Sequence, residues 1–272
     1  MRAYRVAYDG AAYHGFQRQP DVPTVADAIL DALRALGVLD ESADAPPGYA
    51  AAGRTDAGVS ALPQTVAFRA PDWLTPHALN GELPRDVRAW ARADAPEGFH
   101  ATHDAAARTY RYHLHAPAAD VDAARAAAAR FAGEHDVHNL TTDDAGTVRR
   151  VDRLSVEPDG DFLAVTVSAP GFCRHQVRRT VTVLRRVATG AEQPGYVDRV
   201  LGDEPLTGPE GIPPAPAHPL VLVAVSYPDL AFAVDPEAAA NAREVFAARR
   251  VEHRERARAA GSVAEGIGRD GE

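Results

Sequence analysis

Short strand-like segments alternate with amphipathic helices along this 272-residue chain, and this alternation is the feature that most restricts its fold. The first strand is predicted at residues 4–8, and the helix that follows it has clear ends. Thr24 is a good N-cap, apolar residues recur at helical spacing from Val25 to Leu36, and Gly37 ends the repeat. Strands covered by helices in this way predict an α+β fold.

The same order of elements returns in the second half of the chain. A strand near residue 110 is followed by an alanine-rich helix at about 121–131, a hairpin over 151–167 and a helix at about 174–188. The segment 219–225 (PLVLVAV) is typical of a fully buried central strand. We therefore expect two related subdomains, each a mostly antiparallel sheet with covering helices, whose sheets meet at a central cleft that holds the active site.

Proline and glycine near residues 96–98 mark the expected division between the halves. The predicted units are residues 1–96, residues 97–235, and a charged helix with a flexible tail over 236–272. The tail matches the Gly-x-Gly-x-x-Gly pattern at 266–271, but no strand precedes it, so a dinucleotide site is rejected.

The charge composition is unusual, because the net charge is −9 and every one of the 29 Lys or Arg residues is arginine. An acidic, lysine-free chain is consistent with adaptation to high salt, or with a genome that encodes arginine in place of lysine. Either origin means that a nucleic-acid site must be locally basic. The single cysteine, Cys173, fits a reducing compartment, and no signal or membrane segment is found, so we expect a cytoplasmic protein.

The segment 53–59 (GRTDAGV) contains the residues best suited to chemistry. Two glycines bracket Arg54 and Asp56, and glycine permits tight turns and close approach by a ligand. A loop of this kind, held by a sheet, often carries active-site side chains. The alternative is a β-turn in which the aspartate only caps its own backbone.

Residues 53–59 resemble the signature loop of the tRNA pseudouridine synthase A family, and other segments resemble that family in the same order. These are 8–19 (YDGAAYHGFQRQ), 80–87 (NGELPRDV), 99–112 (FHATHDAAARTYRY), 133–136 (GEHD, a helix-end pattern) and 171–178 (GFCRHQVR). The similarity covers about residues 4–228. The chain departs from the family pattern at Ser60, Gln176 and Arg179, where His, Met and Asn are usual.

The resemblance implies that the protein isomerises uridine to pseudouridine in tRNA, with Asp56 as the nucleophile. The carboxylate must be ionised although a desolvated pocket disfavours charge, and a paired guanidinium resolves that conflict. Arg178 matches the family's partner arginine. It lies at the border of a predicted apolar helix stripe (Val177, Val181, Leu184, Ala188), beside Arg174 and Arg185. Arg185 and Arg186 are expected to be solvated.

Four further residues take substrate-binding roles from the resemblance. Tyr110 packs on the extracted uracil, and Arg54 fills the place that the flipped nucleotide leaves. Arg174 and His175 also contact the substrate. The family also implies a homodimer that acts on the anticodon stem-loop around positions 38 to 40, with no cofactor, no metal and no membrane contact; whether Asp56 attacks the ribose or the base stays open.

Two alternatives remain from the residues alone. The chain could bind structured RNA without catalysis, or it could be a nucleoside or glycoside hydrolase. A hydrolase usually needs a second carboxylate across the scissile bond, for which Asp9 and Asp86 are candidates. Histidine pairs at 113/115 and 135/138 lack the accompanying ligands that a metal site requires.

Overall fold

The computed structural model describes residues 1–267. Its strands are β1 (Arg2–Tyr8), β2 (Ala50–Ala51), β3 (Ser60–Phe68), β4 (Val87–Asp94), β5 (Ala107–His115), β6 (Gly133–Asp136), β7 (Val148–Val151), β8 (Arg153–Asp159), β9 (Phe162–Ala169), β10 (Leu220–Ser226) and β11 (Ala233–Val234). Its helices are α1 (Val25–Ala35), α2 (Pro76–Asn80), α3 (Val121–Ala129), α4 (Gln176–Ala188), α5 (Tyr196–Val200) and α6 (Pro236–Gly266). The predicted α+β class is confirmed.

The two predicted sheets meet as neighbours in one continuous nine-stranded sheet. Its strand order is β11-β4-β1-β3-β10-β5-β9-β8, with β2 paired to β3, and a separate hairpin joins β6 to β7. The pairing between β10 and β3 is parallel, whereas the other strand pairs are antiparallel. The late strand β10 is thus the element that joins the halves.

Strand β10 is central, as predicted, but the expectation that it is fully buried is wrong. Leu220, Leu222 and Val225 are buried, whereas Ala224 and Ser226 are exposed. Its run of apolar residues therefore does not report burial on both faces. In a largely antiparallel sheet, one face of a strand is free to meet solvent.

Two hydrophobic cores lie along the sheet, one for each half. The first is built mainly from α1 and strands β1, β3 and β4, and β10 adds Leu222 and Val225 to it. The second is built mainly from α3, α4, β5, β8 and β9, and β10 adds Leu220 to it. Tyr110 packs against both cores, so it lies at the junction between the halves.

Several helix ends agree with the sequence and others do not. Thr24 caps α1, accepting a hydrogen bond from the Asp27 amide. Helix α4 starts two residues after its predicted start, at Gln176. Residues 133–136 form β6 rather than a helix end. Arg186, expected to be solvated, instead donates to the Tyr196 hydroxyl at 2.9 Å.

The last helix, α6, spans 31 residues and begins at its Asp235 cap. Its first turns pack against β4 and α2 through the buried alanines 238, 239 and 242. None of the helices within residues 1–267 combines the length and apolar character that a membrane span requires. The predicted tail beyond residue 267, and most of the 266–271 glycine motif, lie outside the described residues.

Candidate active site

The loop between β2 and β3 carries Asp56 and lies at one end of the central strands of the sheet. Strand β1 ends here, since Tyr8 pairs with Ala61 on one side and with Val87 on the other. In the same register row, Ala61 pairs with Leu222, and Leu222 pairs with Tyr110. The loop therefore lies over the position where the two halves meet.

Backbone and side-chain hydrogen bonds hold the two ends of this loop. The Gln64 side-chain amide donates to the Gly53 carbonyl at 2.8 Å, and Gln64 is itself fully buried. The Val59 amide donates to the Asp56 carbonyl at 3.1 Å, which closes a turn around the aspartate. The turn predicted by the two glycines is present, and Gly58 adopts a positive φ of 79°.

A second loop, which follows β1, is hydrogen-bonded to the loop that carries Asp56. The Phe16 amide donates to the Thr55 carbonyl at 3.0 Å, and the Gly58 amide donates to the Tyr13 carbonyl at 3.2 Å. At Gly15 the φ angle is 99°, and a Cβ there would lie only 2.8 Å from the Thr55 carbonyl oxygen. This close approach explains why the YDGAAYHGFQRQ segment needs glycine beside the GRTDAGV loop.

A pair of buried hydroxyl groups fixes the residue before the aspartate. The Tyr8 and Thr55 hydroxyl oxygens are 2.7 Å apart, and both side chains are almost fully buried. Burial raises the pKa of the Tyr8 hydroxyl far above its ordinary value. Tyr8 therefore stays protonated, and the pair works as a neutral hydrogen bond.

Asp56 forms an ion pair with Arg178, as the resemblance implies. Their Oδ2 and Nη1 atoms are 3.1 Å apart, although 122 residues separate them in the chain. Both side chains are shielded but accessible, with 28% of Asp56 and 15% of Arg178 exposed. His175 lies on the same carboxylate oxygen, with its Nε2 atom 3.6 Å away. One carboxylate thus faces one fixed cation and one imidazole in a partly desolvated setting.

Arg178 is held in place from its other side. Its Nε atom donates to the Ala215 carbonyl at 2.6 Å while Nη1 faces Asp56, so the two ends of the guanidinium fork have separate partners. The predicted apolar stripe of α4 is buried, and this packing sets the rotation that points Arg178 toward the cleft. Arg185, two turns further along nearly the same face of α4, is exposed.

The residue that precedes α4 has a strained backbone. His175 adopts the left-handed conformation, with φ 62° and ψ 0°, and it is the N-cap position of α4. Non-glycine residues rarely adopt this conformation, and those that do cluster at functional sites. Here the strained turn brings the imidazole to Asp56.

Tyr110 lies beside the aspartate at the junction of the two cores. Burial raises the pKa of Tyr110 to about 12; the charge of Arg108 opposes this rise and that of Asp56 assists it. Its hydroxyl faces Gly53, and its ring meets Phe172 edge to face with centroids 5.4 Å apart. The phenol is therefore neutral in ordinary buffers, and it presents an aromatic surface next to the carboxylate.

The other two arginines predicted to bind substrate point into solvent. The side chains of Arg54 and Arg174 are exposed, and within residues 1–267 neither forms a side-chain hydrogen bond or ion pair. The Arg174 amide donates to Asp143 at 2.9 Å, which anchors only its backbone. Both guanidinium groups flank the Asp56–Arg178 pair in sequence and are available to an external anion.

Each departure from the family pattern has a local partner or consequence. The Ser60 hydroxyl accepts from the Gly10 amide at 3.1 Å. The Gln176 side-chain oxygen accepts from the Cys173 amide at 2.8 Å, which stabilises the turn before α4. Burial lowers the pKa of Arg179, whose Nε atom has no hydrogen-bond partner within residues 1–267.

The two further carboxylates weighed for a hydrolase face α6 and the loop after β1. Asp9 lies 3.5 Å from Arg249 and 3.5 Å from His253, and Asp86 lies 3.6 Å from Arg249. Asp86 also accepts a hydrogen bond from the Tyr13 hydroxyl at 2.8 Å. Within residues 1–267 Asp56 pairs with Arg178 and contacts His175, so neither carboxylate is placed as its counterpart.

Sequence reasoning missed one arginine that connects the site's two loops. The Arg108 guanidinium donates to the carbonyls of Ala52, Thr102 and Pro170. It thus ties the start of the Asp56 loop to the segment that leads into α4. The signal was present, because Arg108 opens the RTYRY segment, but a strand arginine that binds only carbonyls has no distinctive spacing.

Comparison with known proteins supports the same assignment over almost the whole chain. A family model described as tRNA pseudouridine synthase matches residues 127–228. The tRNA pseudouridine synthase A of Haloarcula marismortui is 56% identical over 98% of this chain and 100% of that relative. The chain belongs to the tRNA pseudouridine synthase A family. The family's enzyme from Halobacterium salinarum is 57% identical, with 97% of this chain and 98% of that relative covered.

A solved structure gives only a remote likeness. In the archaeal box H/ACA sRNP Nop10-Cbf5 complex, one chain aligns with 68% of this chain and 43% of its own length. The identity is 17% and the TM-score is 0.34. The assignment to the family therefore depends on sequence identity.

Proposed function

We propose that this protein isomerises uridine to pseudouridine in tRNA, with Asp56 as the catalytic nucleophile. The single observation that carries the proposal is the ion pair between Asp56 and Arg178, 3.1 Å apart, in a chain of the tRNA pseudouridine synthase A family. Arg178 keeps the carboxylate charged while the surrounding protein excludes part of the solvent.

The chemistry needs a nucleophile and little else. The bond between ribose C1′ and N1 breaks, a bond between C1′ and C5 forms, C5 loses a proton and N1 gains one. Atoms and electrons balance within one nucleotide, so the reaction consumes no cofactor. Asp56 acts as the nucleophile against the sugar or the base, and His175 lies within reach of the same oxygen to move or hold a proton.

The target base must leave its stack to reach Asp56. Unstacking costs a few kcal/mol, which contacts to the flipped nucleotide offset. Tyr110 presents an aromatic face beside the carboxylate, and stacking on such a face contributes about 1–3 kcal/mol. The exposed Arg54 is suited to occupy the vacated position, and Arg174 is suited to contact a flanking phosphate.

We extend the proposal to the substrate region and the assembly by family resemblance. The target uridines lie around positions 38 to 40 of the anticodon stem-loop, and the enzyme acts in the cytoplasm as a homodimer.

The proposed structural units are residues 1–96, 97–235 and 236–272. The two hydrophobic cores support the first division, although β10 contributes to both cores. We also propose that the acidic, lysine-free composition is an adaptation to high salt, which fits the haloarchaeal relatives.

The test uses unmodified tRNA transcripts and the purified protein in molar KCl. Mapping of pseudouridine at each position is compared with the Asp56→Asn variant, which is nearly isosteric but lacks the nucleophilic charge. We expect pseudouridine around positions 38 to 40 with the wild type and background levels with Asp56→Asn. The variant should keep the wild-type melting temperature and tRNA affinity, because the loop's backbone contacts do not involve the carboxylate.

The same incubation distinguishes the two alternatives. Unchanged RNA that is nevertheless bound would indicate a binding protein, and released uracil would indicate a hydrolase. Turnover by pure Asp56→Asn well above background would overturn the assignment of the nucleophile. Size measurement by light scattering in molar KCl tests the dimer separately.

A further inference from the structure

Helix α6 packs against Asp9 and Asp86, next to the loop that follows β1, and it carries four arginines on one face. Arg243, Arg250, Arg254 and Arg258 recur at intervals of seven, four and four residues. At about 100° per residue they fall within an arc of roughly 80°, and they span about 22 Å of helix. We call these four residues the arginine stripe.

Within the described residues the stripe side chains have no ion-pair partner, and no acidic residue lies inside the arc that they cover between Arg243 and Arg258. All four side chains are exposed, and within residues 1–267 none of them forms a hydrogen bond or ion pair. Measured from Arg243, Glu244 and Glu255 lie at about 100° and 120° round the helix and so border the Arg258 side of the stripe, whereas Glu252 lies on the opposite face. Glu265, about two turns beyond Arg258, ends the stripe. A helix face stabilised by salt bridges has acidic and basic residues in alternation. The face between Arg243 and Arg258 has arginines only among its charged residues.

The course of α6 places the stripe relative to Asp56. The helix starts beside the middle of β4, where the Asp235 amide donates to the Trp90 carbonyl. It then reaches the end of the sheet at which β1 ends and β4 begins, where Arg249 faces Asp9 and Asp86. From Arg249 to Gly266 it continues for about 25 Å. This is the same end of the sheet that holds the catalytic loop.

We propose that the arginine stripe of α6 is a second RNA-binding surface, which contacts the phosphate backbone of the tRNA outside the active-site cleft. The inference rests on the proposed function, since tRNA is the polyanion that must approach this end of the sheet. In a chain of net charge −9, exposed arginines without acidic partners form a local positive strip. Along the helix axis, neighbouring members of the set Arg250, Arg254 and Arg258 are about 6 Å apart. Their guanidinium groups can therefore contact the phosphates of one RNA strand.

The ion pairs of Arg249 with Asp9 and Asp86, and the contact of His253 with Asp9, give the stripe a fixed position. Asp9 and Asp86 belong to the loops that support Asp56, because the Tyr13 hydroxyl donates to Asp86 and the Tyr13 carbonyl accepts from Gly58. A phosphate strand bound along α6 is therefore positioned with respect to the nucleophile. The stripe selects for an RNA that extends beyond the anticodon stem-loop.

The test replaces Arg250, Arg254 and Arg258 together by glutamine in the full-length protein. Glutamine keeps helix propensity, so the fold is retained. The matched control replaces Arg125, Arg130 and Arg153, three exposed arginines on α3 and β8 at the opposite edge of the sheet. Both variants lose three positive charges; the control also removes the ion pairs of Arg125 with Asp122 and of Arg130 with Asp198, so any loss of stability is expected to be larger in the control.

Binding is measured with whole tRNA and with an isolated anticodon stem-loop over a KCl titration. We expect the stripe variant to bind whole tRNA about tenfold more weakly, with the slope of log affinity against log salt reduced by about 2–3. Its kcat and its affinity for the isolated stem-loop should match the wild type. A triple Arg→Lys version should restore most of the affinity, because a phosphate contact needs charge more than forked geometry.

Equal losses in the stripe variant and the control would overturn the proposal, as would an unchanged salt slope. A change in oligomeric state without a change in tRNA binding would assign the stripe to a second copy of the chain and also overturn it. The binding assay does not require turnover. If the wild type binds tRNA through the stripe but forms no pseudouridine, the result contradicts the proposed function and leaves the stripe proposal standing.

Discussion

The hydroxyl groups of Tyr8 and Thr55 lie 2.7 Å apart in the protein interior, next to the loop that carries Asp56. Tyr8 is the last residue of β1, and Thr55 immediately precedes Asp56. The buried pair therefore links the end of a central strand to Asp56, the proposed nucleophile. The pair holds the loop in place and carries no charge, since the raised pKa of Tyr8 leaves the phenol neutral.

Tyr8→Phe and Thr55→Val should each destabilise the fold by about 1–3 kcal/mol, because each leaves the other buried hydroxyl without this partner. The double variant should lose less than the sum of the two. Loss of the link should also lower kcat, because a shift of the loop by 1 Å can cost about a hundredfold. Denaturant unfolding and single-turnover rates measure the two effects.

Tyr4→Phe is the matched control for this prediction. Tyr4 lies on the same strand, is fully buried, and donates to the Leu74 carbonyl at 3.0 Å. It should cost similar stability while kcat stays at the wild-type value. Equal loss of kcat in Tyr4→Phe and Tyr8→Phe would mean that general destabilisation, rather than loop position, accounts for the effect.

Arg178→Lys should reduce activity far more than Arg185→Lys, although both changes keep the charge. Arg178 uses Nε for the Ala215 carbonyl and Nη1 for Asp56, and an ammonium group cannot reproduce that planar fork. We expect a loss of about a hundredfold in kcat for Arg178→Lys. Side-by-side rate measurements test this, and similar rates for the two variants would remove Arg178 from the active site.

Arg249→Gln should lower the free energy of unfolding by about 1 kcal/mol, because Asp9 and Asp86 then face each other without their shared guanidinium. For a chain of this size that corresponds to roughly 2–4 °C in melting temperature. The exposed and unpaired Arg243 is the control, and Arg243→Gln should melt with the wild type. The difference should shrink in molar KCl, where screening weakens the ion pairs, and a difference that grows with salt would contradict this account.

Stability and activity should both rise with KCl into the molar range. The acidic surface repels itself and tRNA at low salt, where the Debye length is about 10 Å at 0.1 M. At about 1 M the screening length is near 3 Å, so binding then depends on shape, stacking on Tyr110 and close arginine contacts. A titration of melting temperature and turnover against KCl measures both. A maximum in each at the low end would mean that the missing lysines reflect codon usage.

Local patterns in the sequence were sufficient for the fold class and for most helix positions. The Thr24 cap, the apolar stripe of α4 and the hairpin after Arg153 each depend on residues that are close in sequence. The local pattern was therefore enough to predict them. The pairing of Asp56 with Arg178 was predicted only through family resemblance, because residues 122 positions apart leave no periodic signal.

Other features depend on tertiary contacts that no local pattern encodes. The apolar run of β10 predicted burial on both faces, but its place between β3 and β5 leaves Ala224 and Ser226 exposed. Arg186 looked like a surface residue, yet Tyr196 ten residues later supplies a hydroxyl and a ring for it. The left-handed turn at His175 was also unpredictable, because a positive φ at a residue other than glycine depends on the surrounding structure and not on a local pattern.

The insertion of β10 between β3 and β5 has a consequence for synthesis on the ribosome. Asp56 and its supporting loops leave the exit tunnel early, but the sheet neighbour that joins them to Tyr110 is not complete until Ser226 has been translated. Until then the inner edge of β3 is unpaired in the nascent chain, and such edges invite association with other chains. Closing so long a segment is also slow compared with local folding. We therefore expect Asp56 to meet Arg178 only when translation is far advanced, so that a growing chain would not act on the tRNAs that surround the ribosome.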